Sequence, residues 1–343
     1  MARRRGNVDL TVVAFDTKTW QEVHRTVLPA PRVESPQLTA RGSLIYVLLP
    51  ERASDPAEIQ SLNPLTGDIR TLYASSRLVA YPIALSKDGT MLAFAETAAG
   101  VAAAPSDVRV LDVVSGQART IRTFTGQDPP GFTGQPVPMA WRDDNRGFVV
   151  AGANPGPPGT WATVLLDGAV SQYGLDSMYV APGSRIAATG GFGDLACTAV
   201  DLPQRLALID LDANKVVNSV EDPHRGIRQR TWSPAGDELL YQQLSPEEVR
   251  ADCNRTGSMP EPLGKAFLLA VAGGPPTAVD DVAALRRQWY GDRIIDFECG
   301  GETAFNPYGD CVSDAGTGHM FLNGEEVTSG EVLRAIGFIE PRQ

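Results

Sequence analysis

Four arginines carry the clearest chemical signal in this 343-residue chain. Arg228 and Arg230 precede Trp232, and Arg286 and Arg287 precede Trp289. Aligning the two tryptophans sets Arg230 against Arg287, with Arg228 and Arg286 close by. A guanidinium is a planar, permanently charged fork, so two of them together suit a carboxylate or a phosphate. The bland alternative is an arginine pair neutralised by nearby Asp or Glu. A second group is acidic: Asp194, Asp252, Glu298 and Asp310 fall in long polar segments of the second half, suited to a cation or a basic peptide, or simply to keeping loops soluble. All four cysteines, Cys197, Cys253, Cys299 and Cys311, lie in the same segments. Cys299 with Cys311 and Cys197 with Cys253 is the most economical pairing, each bond contributing about 2–4 kcal/mol, and the two other pairings stay open. No CxxC occurs and His319 is the only histidine nearby, so no metal and no cofactor is expected.

Linear signatures of catalysis are missing: there is no GxSxG, no HExxH and no Walker loop. Gly190, Gly191 and Gly193 imitate part of a dinucleotide fingerprint without its third glycine or its helix. Asp210, Asp212 and Asn214 imitate half a calcium loop but lack its Gly and Glu, so they read as turn residues. His24, His224 and His319 stand far apart in sequence. Asn254 opens a short glycosylation sequon, Asn254-Arg255-Thr256.

The elements that must position these residues come from internal repetition. One pattern is an apolar or Trp residue, a polar turn with Gly or Asn about four positions on, then an apolar run: Leu38 with Gly42, Leu85 with Gly89, Trp141 with Asn145, Trp232 with Gly236. Shortened copies start at Val180 and Trp289. The other is an apolar strand ending in Asp or Asn, a tight turn, and a second strand, as in VVAFDTKTW, IQSLNPLTGD and VRVLDVVSGQ. Seven copies of the second alternate with six of the first at a spacing of about 50 residues. Each pair reads as a four-stranded blade with strands A to D, and 34 Gly with 26 Pro suit the many turns.

The expected fold is all-β: one seven-bladed β-propeller over residues 1–343, with 1–7 as a flexible N-terminal segment. Its closing blade is shared by the two chain ends, 8–28 and 331–340, because a ring closed by both ends leaves no open seam. LSKDGTMLAF and WSPAGDELLY resemble the SPDG-type hairpin of TolB-like and WD40-like (PD40-type) bacterial propellers. That resemblance implies a ring of sheets whose channel and one face bind proteins, peptides or small molecules. The chain departs from it in lacking the α/β domain that precedes the TolB ring and the GH and WD dipeptides of eukaryotic WD40 repeats.

The tryptophans, being periodic, read as packing between blades. The longest segments join strands B to C or D to A, which leave a blade at one end, so that end is expected to bind through blades four to six. The function expected is a non-enzymatic binding or scaffolding module for a protein, a peptide or a small anionic ligand. A lactonase-like or hydrolase-like enzyme with its site at the channel is the alternative. A formal net charge of −11 argues against nucleic acid. No run of 18 apolar residues offers a membrane span, and the even cysteine count fits an extracytoplasmic protein of the envelope or secreted space; a monomer is expected. Arg3, Arg4 and Arg5 lead directly into a strand, without the apolar core of a signal peptide.

Overall fold

The computed structural model describes residues 10–16, 19, 21–28, 32–39, 42–49, 56–97, 105–125, 132, 135–142, 144–153, 161–173, 178–181, 186–189, 204–213, 215–223, 226–233, 235–253, 264–279, 286–290, 293–299, 311–312, 318–322, 325–330 and 332–333. For 228–231, 251–253 and the strands from 286 onward, only the backbone path is described.

Strand β1 (Leu10–Phe15) pairs with β2 (Glu22–Leu28) as a two-stranded sheet. Six four-stranded sheets follow. The first holds β3 (Arg32–Leu38), β4 (Leu44–Leu49), β5 (Ala57–Leu62) and β6 (Ile69–Ser75), and the second β7 (Leu78–Leu85), β8 (Met91–Thr97), β9 (Ser106–Asp112) and β10 (Ala118–Phe124). The third is β11 (Gln135–Trp141), β12 (Gly147–Ala153), β13 (Trp161–Leu165) and β14 (Val170–Tyr173), and the fourth β15 (Met178–Val180), β16 (Ile186–Thr189), β17 (Gln204–Asp210) and β18 (Lys215–Asp222). In the fifth, β19 (Ile227–Trp232) and β20 (Glu238–Gln243) are separated by helix α1 (Pro246–Cys253) from β21 (Lys265–Ala270) and β22 (Thr277–Val279). The sixth is β23 (Arg286–Tyr290), β24 (Arg293–Cys299), β26 (Gly318–Leu322) and β27 (Glu325–Gly330), while β25 (Cys311–Val312) pairs with β28 (Val332–Leu333). Every pairing is antiparallel, consecutive strands pair within each sheet except where β25 is passed over to pair with β28, and the six A–B and seven C–D hairpins read from the repeats are all present.

The turn residues explain the repeat. Gly42, Gly89 and Gly236 adopt φ of 81°, 69° and 71°, and Asn145 takes the same position at 54°. Left-handed backbone costs a residue with a Cβ about 1–2 kcal/mol, least for Asn. Ser86 and Ser233 lock their turns: each hydroxyl accepts the amide that re-enters the sheet and donates to Asp88 (2.7 Å) or Asp237 (2.6 Å). On the C–D turns Asp112 Oδ1 accepts the amides of Val114 and Ser115, and Asp210 Oδ1 those of Asp212 and Ala213. Asp210 and Asp212 are therefore turn residues.

Inner strands are apolar on both faces, because a sheet lies against each. In β8, Leu92 and Phe94 join one buried cluster with Ile45, Val47 and Ile59 of the first sheet. Ala93 and Ala95 join another with Trp141, Phe148 and Val150 of the third. The alanines make room for the large rings opposite. Outer strands are more exposed, and polar side chains there hold the next sheet's C–D turn. Arg70 donates to the Val114 carbonyl (3.2 Å), Arg122 to that of Gly168 (3.3 Å) and Asn218 to that of Ala270 (2.7 Å). At the corresponding junction a Cβ on Gly67 would stand 2.6 Å from His24 Nε2, so β2 approaches the first sheet in the same manner.

Two compact units make up the chain, Met1–Leu175 with Phe338–Gln343, and Asp176–Gly337. The first holds both clusters just named; the second holds its own, with Trp232, Leu239, Tyr241 and Leu269 among its members. The expected mixed closing blade is not found among the described residues. β1–β2 has two strands, and the described part of 331–340 pairs elsewhere, Val332 with Val312 and Leu333 with Cys311. One residue separates β28 from β27, and at about 3.3–3.6 Å per residue that link reaches only the loop end of its own sheet. Residues 334–340 lie outside the described set, as do 1–7.

Candidate binding surface

In an antiparallel meander the B–C and D–A connections leave one end of the sheet. The B–C connections are 50–56, 98–105, 154–160, 190–203, 244–264 and 300–317, and so lengthen in the fourth to sixth sheets. The D–A connections stay short except 125–134. The A–B and C–D turns, at the other end, span six residues or fewer.

The connection 244–264 is the best described. Leu244 is buried, and its amide donates to the Gly226 carbonyl at 2.9 Å. A Cβ on Gly226 would lie 2.2 Å from the Leu244 carbonyl oxygen, so only glycine permits this approach. Ser245 then caps α1: the Glu248 amide donates to its hydroxyl (3.2 Å), and Glu248 Oε2 accepts the Ser245 amide (2.7 Å). This reciprocal capping box, Ser-x-x-Glu, was a sequence signal that the repeat analysis passed over. Glu248 Oε1 also accepts the Gly264 amide (3.1 Å), so one carboxylate ties both ends of the connection. Burial opposes ionisation of Glu248, but the bonds from Ser245 and Gly264 outweigh it and lower its pKa.

A lowered carboxylate pKa contributes stability that is present above the unfolded value and lost as pH falls through the folded one. Glu248→Ala is thus expected to open 244–264 to limited proteolysis at neutral pH, at a cost of about 0.5–2 kcal/mol. The native chain should show the same cleavage only once the pH falls below the ordinary carboxylate range. Equal cleavage of both at pH 7 would refute the clamp.

The predicted site residues distribute as follows. Asp252 and Cys253 are the last residues of α1. Glu298 and Cys299 end β24, with Glu298 in register with His319, and Cys311 opens β25. Asp194, Cys197 and Asp310 lie outside the described residues. Trp141 and Trp232 are buried packing residues. For the arginines the ladder changes the alignment. Counted in rungs from the tryptophan, β19 pairs Trp232 with Leu239, Thr231 with Leu240, Gln229 with Tyr241 and Arg228 with Gln242, Arg230 falling in a bulge. β23 pairs Trp289 with Ile294, Gln288 with Ile295, Arg287 with Asp296 and Arg286 with Phe297, without a bulge. Arg228 and Arg286 are therefore the equivalent pair. Arg287 corresponds to Gln229 and stands opposite an aspartate.

Sequence reasoning missed a polar cluster at the loop end of the second sheet. Glu96, 1% exposed, accepts a hydrogen bond from Arg109 Nη1 (2.9 Å) and one from the Tyr73 hydroxyl (2.9 Å). Arg109 also donates to Tyr73 Oη at 2.7 Å. Arg77 bonds Asp107, which accepts a further bond from Thr123 (2.6 Å). Burial and then the Glu96 bond raise the Tyr73 pKa. Burial works against charge on Asp107, but the Thr123 and Arg77 bonds prevail and lower it. Each charged side chain here has a partner on the first or second sheet, so the cluster joins sheets. Among the described residues no group of three or more His, Cys, Asp or Glu could hold a metal ion, and no helix is long and apolar enough to cross a membrane.

No protein-family model and no curated protein sequence matches the chain. Solved structures do. An acylaminoacyl peptidase is similar at a TM-score of 0.55 and 10% identity, over 93% of this chain and 48% of that one. The β-propeller domain of Cps50 (Swd1) from Myceliophteria thermophila is similar at 0.48 and 12%, over 89% and 88%. TolB from Acinetobacter baumannii is similar at 0.44 and 14%, over 76% and 57%. The chain thus spans little more than half of that TolB and about half of the peptidase.

Proposed function

We propose that the chain, which has an all-β propeller fold built from four-stranded meanders, is a binding module, taking a protein, a peptide or a small anionic ligand at the loop ends of the fourth to sixth sheets. The observation that carries this reading is the growth of B–C connections at one end of those sheets, with 244–264 held in place by Gly226 and Glu248. Long connections on a rigid scaffold are where binding residues concentrate. The scaffold in this proposal is a seven-bladed, TolB-like ring in which 334–340 complete β1–β2. Its test is a disulfide engineered between those segments, which should form without reducing the melting temperature.

The enzymatic alternative, a lactonase-like or hydrolase-like site, rests on fold likeness to an enzyme, and a fold does not fix a function. Cross-linking in an envelope extract should capture the same partner repeatedly with the native chain and lose it when 254–263 is replaced by a Gly-Ser linker. Turnover in a hydrolase and lactonase panel, abolished by a single carboxylate or histidine change, would overturn the binding reading. The extracytoplasmic location proposed with it goes with two disulfides, Cys197–Cys253 and Cys299–Cys311 being the most economical pairing. Four thiols reacting under denaturing, non-reducing conditions would exclude both.

A further inference from the structure

We infer that the free edge of β1 is a strand-addition site, and that the extended apolar segment it takes is the chain's own 334–340. Open strand edges invite pairing, and proteins blunt them with charge, with proline or by keeping them short. Among the described residues every other edge strand is blunted in one of these ways. Of the innermost strands, β3, β7 and β11 contain proline, β19 and β23 contain arginine, and β15 has three residues. Of the outermost, β2, β6, β10, β18 and β27 contain charged residues, while β14 has four residues and β22 three. Strands β25 and β28 have two each. In contrast β1 runs for six residues, LTVVAF, with no charge and no proline, and β2 pairs with one side of it alone.

Two observations identify the occupant. Phe338–Gln343 belong to the compact unit that holds β1, although the chain from Asp176 to Gly337 forms the other unit. Residues 335–339 read AIGFI, again without charge or proline. The second observation is burial. β2 meets the first sheet at its C–D turn, beside Gly67, whereas Leu44 and Tyr46 stand on β4, further in. Their side chains point away from the second sheet, because Ile45 and Val47 alternate with them and pack toward it. Leu44 and Tyr46 are nonetheless 1% exposed. That face of the first sheet is therefore covered over its inner strands too, where a third strand beside β1 would lie. Strand addition of this kind draws affinity from main-chain hydrogen bonds and specificity from alternate side chains. The ligand class is thus an extended, uncharged peptide segment, and the resident one is exchangeable for a free peptide of its own sequence. The occupant is the segment that the ring proposed above needs, so the inference rests on that scaffold.

The test keeps the whole chain: a specific protease site is inserted between Leu333 and Arg334 and cut in the folded protein. The tail should stay bound through gel filtration, and a fluorescent synthetic peptide of 334–343 should replace it saturably. A Phe338→Pro peptide should compete about tenfold more weakly, since proline removes an amide and resists pairing. In the uncut chain Phe338→Pro should raise hydrogen exchange at Thr11–Phe15 while leaving the amides of β8 unchanged, a pattern that misfolding would not give. Loss of the tail on cutting with no peptide uptake, equal competition by the proline peptide, or exchange at Thr11–Phe15 that ignores the substitution overturns the site. A tail held only in dimers, detected by light scattering, overturns its occupancy within one chain. Formation of the engineered disulfide without tail retention would leave the ring standing and sink this inference. Tail retention with no partner captured at the loops would sink the binding reading and leave this one.

Discussion

Glu96→Leu destabilises the first unit by about 3–5 kcal/mol, the cost of leaving a buried arginine without its counter-charge. Glu96 is almost fully buried at 1% exposure, and it receives both Arg109 Nη1 and the Tyr73 hydroxyl. Removing it strands two donors at once. Arg109→Gln alone should cost a similar amount, because a desolvated carboxylate is left with Tyr73 and the more distant Arg77, 3.9 Å away. The double variant is the informative one. In the first sheet the corresponding positions are Leu48 and Gln60, and there Gln60 Oε1 accepts the hydroxyl of buried Tyr46 at 2.7 Å. Burial, with Glu58 nearby, pushes that tyrosine's pKa up to about 12, and it stays a neutral donor. Glu96→Leu with Arg109→Gln transplants this uncharged solution, and the introduced amide can serve the Tyr73 hydroxyl. Urea denaturation should show the double variant less destabilised than either single one, a coupling of about 2 kcal/mol or more. Additive costs would mean that the pair is not a unit.

That comparison also shows what the sequence carries and what it hides. Turns are local, so Gly89, Asn145 and Asp112 announce themselves: each needs a positive φ or a short acceptor within a few residues. The alternation of hairpins follows, and with it the all-β repeat. Contacts between sheets are not local. Tyr73 meets Arg109 only after β6 has packed on the second sheet, and no spacing in the chain reveals it. Rung counting is similarly hidden. A single bulged residue at Arg230 moves the equivalence from Arg230 to Arg228, because register slips by one where a strand carries an extra residue. Similar irregularities occur in β3, β7 and β11, all innermost strands. Pro36, Pro82 and Pro138 mark them. Proline is tolerated at a bulge or a free edge, where its missing amide costs nothing. The prolines were legible, and β19, with a bulge and no proline, was the strand they could not flag. The capping box at Ser245 and Glu248 was also in plain view, but it belonged to a helix inside a connection, where a strand repeat offers no reason to look.

The last consequence concerns the irregular stretch of β7, which neighbours on both sides complete. Pairing of β7 with β8 is interrupted between Ala80 and Ala84, so backbone groups there need other partners. Gln37 of β3 supplies two: its amide donates to the Ile83 carbonyl, and its Oε1 accepts the Leu85 amide at 3.0 Å. Trp141 of β11 supplies the next, its indole Nε1 donating to the Ala84 carbonyl at 2.6 Å. Its ring, 1% exposed, lies 5.3 Å from that of Phe148 and fills the space left by Ala84, Ala93 and Ala95. Trp141→Ala should therefore cost about 3–5 kcal/mol, for the cavity and the lost apolar burial. An orphaned carbonyl adds to that cost. Trp141→Phe keeps most of the ring contact and loses the donor, so about 1–3 kcal/mol is expected. Gln37→Leu should fall in the same range. If the two side chains fasten one element, Trp141→Phe and Gln37→Leu together should cost less than the sum, since β7 is already loosened by the first change. Denaturant midpoints of the four variants decide it. A Trp141→Ala cost under about 1 kcal/mol, or no difference between Ala and Phe, would show that the tryptophan merely occupies space and that β7 holds its irregular path without help.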